Sequence, residues 1–159
     1  MRPMILVTLL ATASLAALSA ADAAVTTFRT PGAQSVVLNS GNGRAVVTRR
    51  GAILIRVVRG RIRVIDLPGG TRPARSCNRR GIQVSGVAVE YRGRDVRCRV
   101  FGEGPWQVVM RGRGINAGGK VRGSLTLDGV DIGARGVYKI GDRSYRRWPR
   151  LATTFVLRR

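Results

Sequence analysis

The chain has 159 residues, with 29 Lys and Arg against 8 Asp and Glu, a formal charge of +21 and no histidine. Without imidazole, Ser-His-Asp and Cys-His catalysis and most zinc sites are excluded. A GC-rich codon bias accounts for Lys120 and Lys139 being the only lysines, but not for the scarcity of acids; a shell this basic repels itself.

In chain order, Met1-Arg2-Pro3 supplies one positive charge and residues 4–20, "MILVTLLATASLAALSA", are almost wholly apolar. Ala21-Asp22-Ala23 then offers small residues at the first and third positions before a cut. This order predicts a signal peptide, helical while attached and cleaved after Ala23. An uncleaved anchor helix is the alternative, but the run is short and Ala-rich for one. No Cys follows it, which argues against a lipoprotein anchor. The expected mature chain, residues 24–159, is one domain, exported to the periplasm, cell envelope or medium, with no later transmembrane span.

Beyond Ala23, runs of Val, Ile, Leu and Thr alternate with polar residues and stop at Gly. That pattern predicts strands over 35–38, 44–48, 52–58, 61–66, 81–85, 87–91, 95–101, 106–111, 120–121, 124–127, 136–140 and 153–157. Residues 67–75, "LPGGTRPAR", are the clearest break. The expected fold is all-β, an antiparallel β-sandwich or partly closed barrel of about ten strands. A short β-solenoid is the alternative, because Arg59-Gly60, Arg92-Gly93 and Arg122-Gly123 read as the turns of about three degenerate hairpin units.

Within these units the alternation separates two faces. Ile53, Ile55, Val57, Ile62, Val64, Val96, Cys98, Val100, Leu125 and Leu127 fall on the side expected to be buried. Arg56, Arg61, Arg63, Arg97 and Arg99 fall on the other. Cys77 and Cys98 are the only cysteines, and in an exported chain they are expected to form a disulfide.

The chemistry-bearing motifs are few. Of the seven acids after residue 23, Asp66, Glu90, Asp95, Glu103, Asp128, Asp131 and Asp142, Glu90 and Glu103 could be assembled as a glycosidase pair, but nothing marks them out. Asp66 and Asp128 end comparable strands and suit turns or salt bridges. "LDGVDIG" at 127–133 lacks the oxygen ligands of a calcium loop. "RGRGINAGGK" at 111–120 lacks Gly-Lys-Ser/Thr and a following helix, so it reads as a long turn or bulge rather than a phosphate loop. "GDRSYRRWPR" at 141–150 interleaves Arg143, Arg146 and Arg147 with Tyr145 and Trp148. This arrangement suits either phosphate and ring contacts or a solvated loop whose Trp148 plugs the core edge. Trp106 is expected to anchor the core.

These readings point to a non-enzymatic exported protein, without cofactor or metal, whose arginine face binds an anionic envelope polymer. The candidate contact residues are Arg61, Arg63, Arg97, Arg99, Arg143, Arg146 and Arg147. Nucleic acid is a less favoured partner. The alternatives are a structural or assembly module kept soluble by its charge and, last, a hydrolase. The oligomeric state is not legible.

Overall fold

The computed structural model describes residues 32–129 and 135–158. The expected signal segment, residues 1–23, and Asp131 lie outside the described residues. No helix among the described residues is long and apolar enough to cross a membrane.

The alternating sequence forms strands throughout. β1 (Gln34–Asp66), β2 (Ala74–Cys77), β3 (Ile82–Ser85), β4 (Ala88–Asp128), β5 (Val137–Ile140), β6 (Arg146–Arg147) and β7 (Thr153–Leu157) make one antiparallel sheet. β1 runs for 33 residues and β4 for 41, where a strand usually has about five or six.

Pairing explains how such strands fit a small protein. Ile53 lies between Val100 and Gly119, and Ile62 lies between Tyr91 and Met110. Both neighbours of each belong to β4. A strand flanked on both sides by one partner strand requires the pair to coil, so that a second turn lies beside the first. The sheet is therefore rolled, but it does not close into a ring.

Glycines make the bends. Gly43 lies opposite Gly112, Gly112 opposite Gly60, and Gly60 opposite Gly93. Their φ angles are 119°, 144°, 151° and 135° in that order across the sheet. Side chains resist this conformation, and a Cβ at Gly60 would collide with the Arg111 carbonyl oxygen. The four form a line across neighbouring strand segments at which the ribbon turns.

This corrects the expected hairpins. Arg59-Gly60 lies inside β1, and Arg92-Gly93 and Arg122-Gly123 lie inside β4. Residues 111–120, expected as a long turn or bulge, are not a turn but part of β4, kinked at Gly112 and Gly114. A positive-φ glycine serves a turn and a mid-strand corner equally well. The expected tally of about ten strands fails for the same reason, because several of its segments fuse into β1 and β4.

The two faces separate as the alternation requires. Ile53, Val57, Ile62, Val64, Val96 and Val100 are fully buried and join one core cluster with Trp106, Met110, Leu125 and Leu127. Trp106 is a core anchor, and Trp148 is buried at the core edge, as its solvated-loop reading required. Cys77 sits directly opposite Cys98, with Cα atoms 4.1 Å apart, and the two are bridged. The bond fastens edge strand β2 to β4 and on chain-entropy grounds stabilises by about 3 kcal/mol.

Candidate anion-binding site

The glycine line carries arginines on both sides. Three local triplets, Arg59-Gly60-Arg61, Arg92-Gly93-Arg94 and Arg111-Gly112-Arg113, and a fourth, Asn42-Gly43-Arg44, share one pattern. Register brings them side by side. Arg61 lies between Arg92 and Arg111, and Arg111 lies opposite Arg44. Two residues back along β1, across the glycine line, Arg59 lies between Arg94 and Arg113. Neighbouring strands are about 4.8 Å apart, so the four-arginine row spans roughly 14 Å.

Like charges directly opposite one another oppose strand pairing. All of these arginines are exposed except Arg61, which is half-buried. Arg44, Arg59, Arg94, Arg111 and Arg113 have no ion-pair partner among the described residues. Together they form a ridge of guanidinium groups, donors with no acceptor.

One end of the ridge holds a buried acid. Glu90 is fully buried, the only buried charged side chain among the described residues. Arg63 donates to its Oε2 from Nε at 2.8 Å and from Nη2 at 2.6 Å. Arg92 donates to its Oε1, and Arg61 stands 3.9 Å from the same oxygen. Burial alone pushes this carboxyl up. The hydrogen bonds from Arg63 and Arg92 and the charges of Arg63 and Arg61 outweigh it and hold the pKa below its ordinary value.

The seven residues expected to contact the polymer fall in different places. Arg61 and Arg63 meet on Glu90, and only Arg61 belongs to the ridge. Arg97 donates to Asp95 at 2.8 Å, and Arg56 donates to the same carboxylate at 2.6 Å. Hydrogen bonds from Arg97 and Arg56 hold the Asp95 pKa down. Arg99 stacks over Phe101, 5.2 Å from the ring centroid, and its buried Nε has no hydrogen-bond partner. Arg97 and Arg99 line one shallow groove. Arg143, Arg146 and Arg147 are exposed around β6. Among the carboxylates of interest, Asp66 pairs with Arg72 at 3.1 Å, and Glu103 is exposed.

A second basic cluster escaped the sequence reading. Arg49 lies opposite Gly123, Arg50 lies opposite Arg122, and β7 brings Arg158 in beside them. These four arginines, with Ser124, line a depression of about 630 Å³ that no carboxylate among the described residues enters. Arg49 holds a φ of 112°. Strain of this kind costs about 1–3 kcal/mol in a residue with a Cβ. Arg49→Gly is expected to raise stability by about 1 kcal/mol, after allowing for the greater freedom of unfolded glycine. Thermal unfolding is the measurement, with a rise of about 3 °C expected and a fall counting against strain at this residue.

Both clusters were signalled locally, by Arg-Gly-Arg triplets and by the Arg49-Arg50-Gly51 run, but only pairing between distant residues assembles them. No protein-family model, curated protein or solved structure matches the chain.

Proposed function

We propose that this is an exported, non-enzymatic protein that binds an anionic polymer of the cell envelope through the arginine ridge beside the glycine line. The observation that carries the reading is the register that aligns Arg59, Arg61, Arg92, Arg94, Arg111 and Arg113 across neighbouring strand segments. Guanidinium contacts to phosphate, sulfate or carboxylate are charge-assisted and often bidentate. A row repeating at strand spacing meets an extended polymer better than a single small anion. Glu90, held ionised by its arginines, is not poised as a general acid, which favours binding over hydrolysis. Export with cleavage after Ala23 belongs to the same reading. So does the rolled sheet flattening between its corners into two packed layers, a sandwich.

Heparin, a sulfated polysaccharide, serves as the probe polymer. The chain is expected to bind it at low salt and to release it steeply as salt rises. Arg59→Gln, Arg111→Gln and Arg113→Gln together are expected to lower the slope of log K against log salt by about 2, at roughly 0.7–0.9 for each lost contact. Flow-through at low salt, or an unchanged slope in the triple variant, overturns the proposal.

One observation favours a second reading, assembly with other chains. Among the described residues β3 pairs only with β4 and exposes Ile82 and Val84, with Val87 exposed beside it; an open apolar edge of this kind is a pairing surface. Sedimentation that stays monomeric at every concentration removes this reading.

A further inference from the structure

We infer that the anionic polymer is a polysaccharide, and that one of its acidic sugar rings sits in the groove at Gly118, beyond the ridge. The inference rests on the polymer-binding reading and names the class of polymer.

The groove continues the ridge along the same strand segments. Arg59 lies between Arg94 and Arg113; three residues back on β1, roughly 10 Å away, Arg56 lies between Arg97 and Asn116. Asn78 extends that row, its backbone N–H donating to the Arg97 carbonyl at 3.0 Å. The next row on the same face is Ser76, Arg99, Leu54 and Gly118. Both rows line a groove of about 740 Å³, within the usual range for ligand sites. A polymer lying along the strands passes from the ridge into it.

Its lining differs from the ridge, and the difference sets the ligand class. The ridge offers guanidinium donors alone. The groove adds groups that both donate and accept. Asn78 donates one amide hydrogen to the Asp95 carbonyl and accepts the Arg97 N–H. Asn116 accepts the Ser40 N–H and donates to the Gly114 carbonyl. An amide has two hydrogens and two lone-pair sites, so each side chain keeps one of either kind, and the Ser76 hydroxyl also does both. Such a set matches ring hydroxyls, whereas an ionised phosphate chain offers acceptors only.

Charge and shape agree. Arg99 has no ion-pair partner among the described residues, and Arg56 and Arg97 share the carboxylate of Asp95. No carboxylate among the described residues lines the groove, which is therefore net positive. Leu54 and the arginine stems give apolar surface for the C–H face of a ring. At Gly118 the floor is bare backbone. A Cβ there would meet nothing within 4 Å, and the φ of Gly118 lies outside the left-handed region. Glycine inside a strand weakens it, and here neither conformation nor packing requires it. What it leaves is the open space.

Heparin is the probe with sugar rings and inorganic polyphosphate the probe without them. Calorimetry measures the binding of each to the full chain. Gly118→Leu fills the groove without changing the charge and is expected to keep the parent's melting temperature. It is expected to weaken heparin about fivefold, the worth of one lost hydrogen bond, and to leave polyphosphate unchanged. Ser76→Leu, at an exposed position on the edge strand, is expected to do the same and decides the matter if Gly118→Leu melts early. The Arg59→Gln, Arg111→Gln and Arg113→Gln triple variant is expected to weaken both polymers. Unchanged heparin binding in the filled variants overturns the groove assignment and leaves the ridge standing. Equal loss of heparin and polyphosphate in them overturns the sugar ring. A parent chain that binds neither polymer overturns the ridge and the groove together.

Discussion

Gly60→Ala is expected to destabilise the protein by about 4 kcal/mol, at the upper end of what one substitution does. Two penalties add. The φ of 151° lies where L-residues are strained, and the new Cβ meets the Arg111 carbonyl oxygen, a backbone atom that cannot swing aside. Gly112 is packed as tightly from the other strand, where a Cβ would collide with the Arg59 carbonyl oxygen, so neither strand can yield without disturbing the other. Domains of this size are stable by roughly 5–15 kcal/mol, so the loss is a large share of the whole. Urea unfolding of Gly60→Ala beside Gly69→Ala is the comparison. Gly69 also has a positive φ, 99°, but a Cβ there meets nothing within 4 Å. A similar midpoint shift in both variants would mean that φ alone matters and that the corner contact adds nothing.

Glu90→Gln is expected to destabilise by about 2 kcal/mol at pH 7. Breaking a fully buried pair costs roughly 3–5 kcal/mol. The discount reflects the Arg61 and Arg63 side chains, each 38% exposed and able to draw on water. The substitution keeps the shape and removes the charge, leaving Arg61, Arg63 and Arg92 to repel one another. The pH dependence has a definite sign. The pKa of Glu90 in the folded protein lies below its ordinary 4.5. Its stabilisation is therefore complete above that ordinary value and is lost as pH falls through the folded one. The gap in melting temperature between parent and variant should be full at pH 7 and close in acid below pH 4.5. A gap that persists undiminished at pH 2 would assign the effect to packing rather than charge.

Much of the fold was legible because alternation is a local property. Ile62 and Val64 fall on one face and Arg61 and Arg63 on the other, whatever the strands pair with. The disulfide followed from there being two cysteines. The meaning of Gly60 was not legible. Its positive φ suits a hairpin turn or a corner, and the choice lies with Gly93 and Gly112, more than thirty residues away. The candidate site was half visible for the same reason. Each Arg-Gly-Arg triplet stands in plain view, but which triplets become neighbours depends on register. Arg111-Gly112-Arg113 takes the place expected for Arg122-Gly123.

The coiled ribbon also bears on the order of events during synthesis. Among the described residues β1 pairs only with β4 and β5, and its nearest pairing in sequence joins Ile65 to Ala88. A chain made from its N-terminus therefore carries residues 34–66, rich in Val and Ile, without their strand partner until β4 is available. Contacts this distant make folding slow and leave the waiting segment open to aggregation. Between Ala52 and Asp66, "AILIRVVRGRIRVID", no apolar run exceeds four residues before an arginine interrupts it. In the unfolded chain these side chains act as gatekeepers, keeping one nascent molecule from pairing with the next before its own second half arrives.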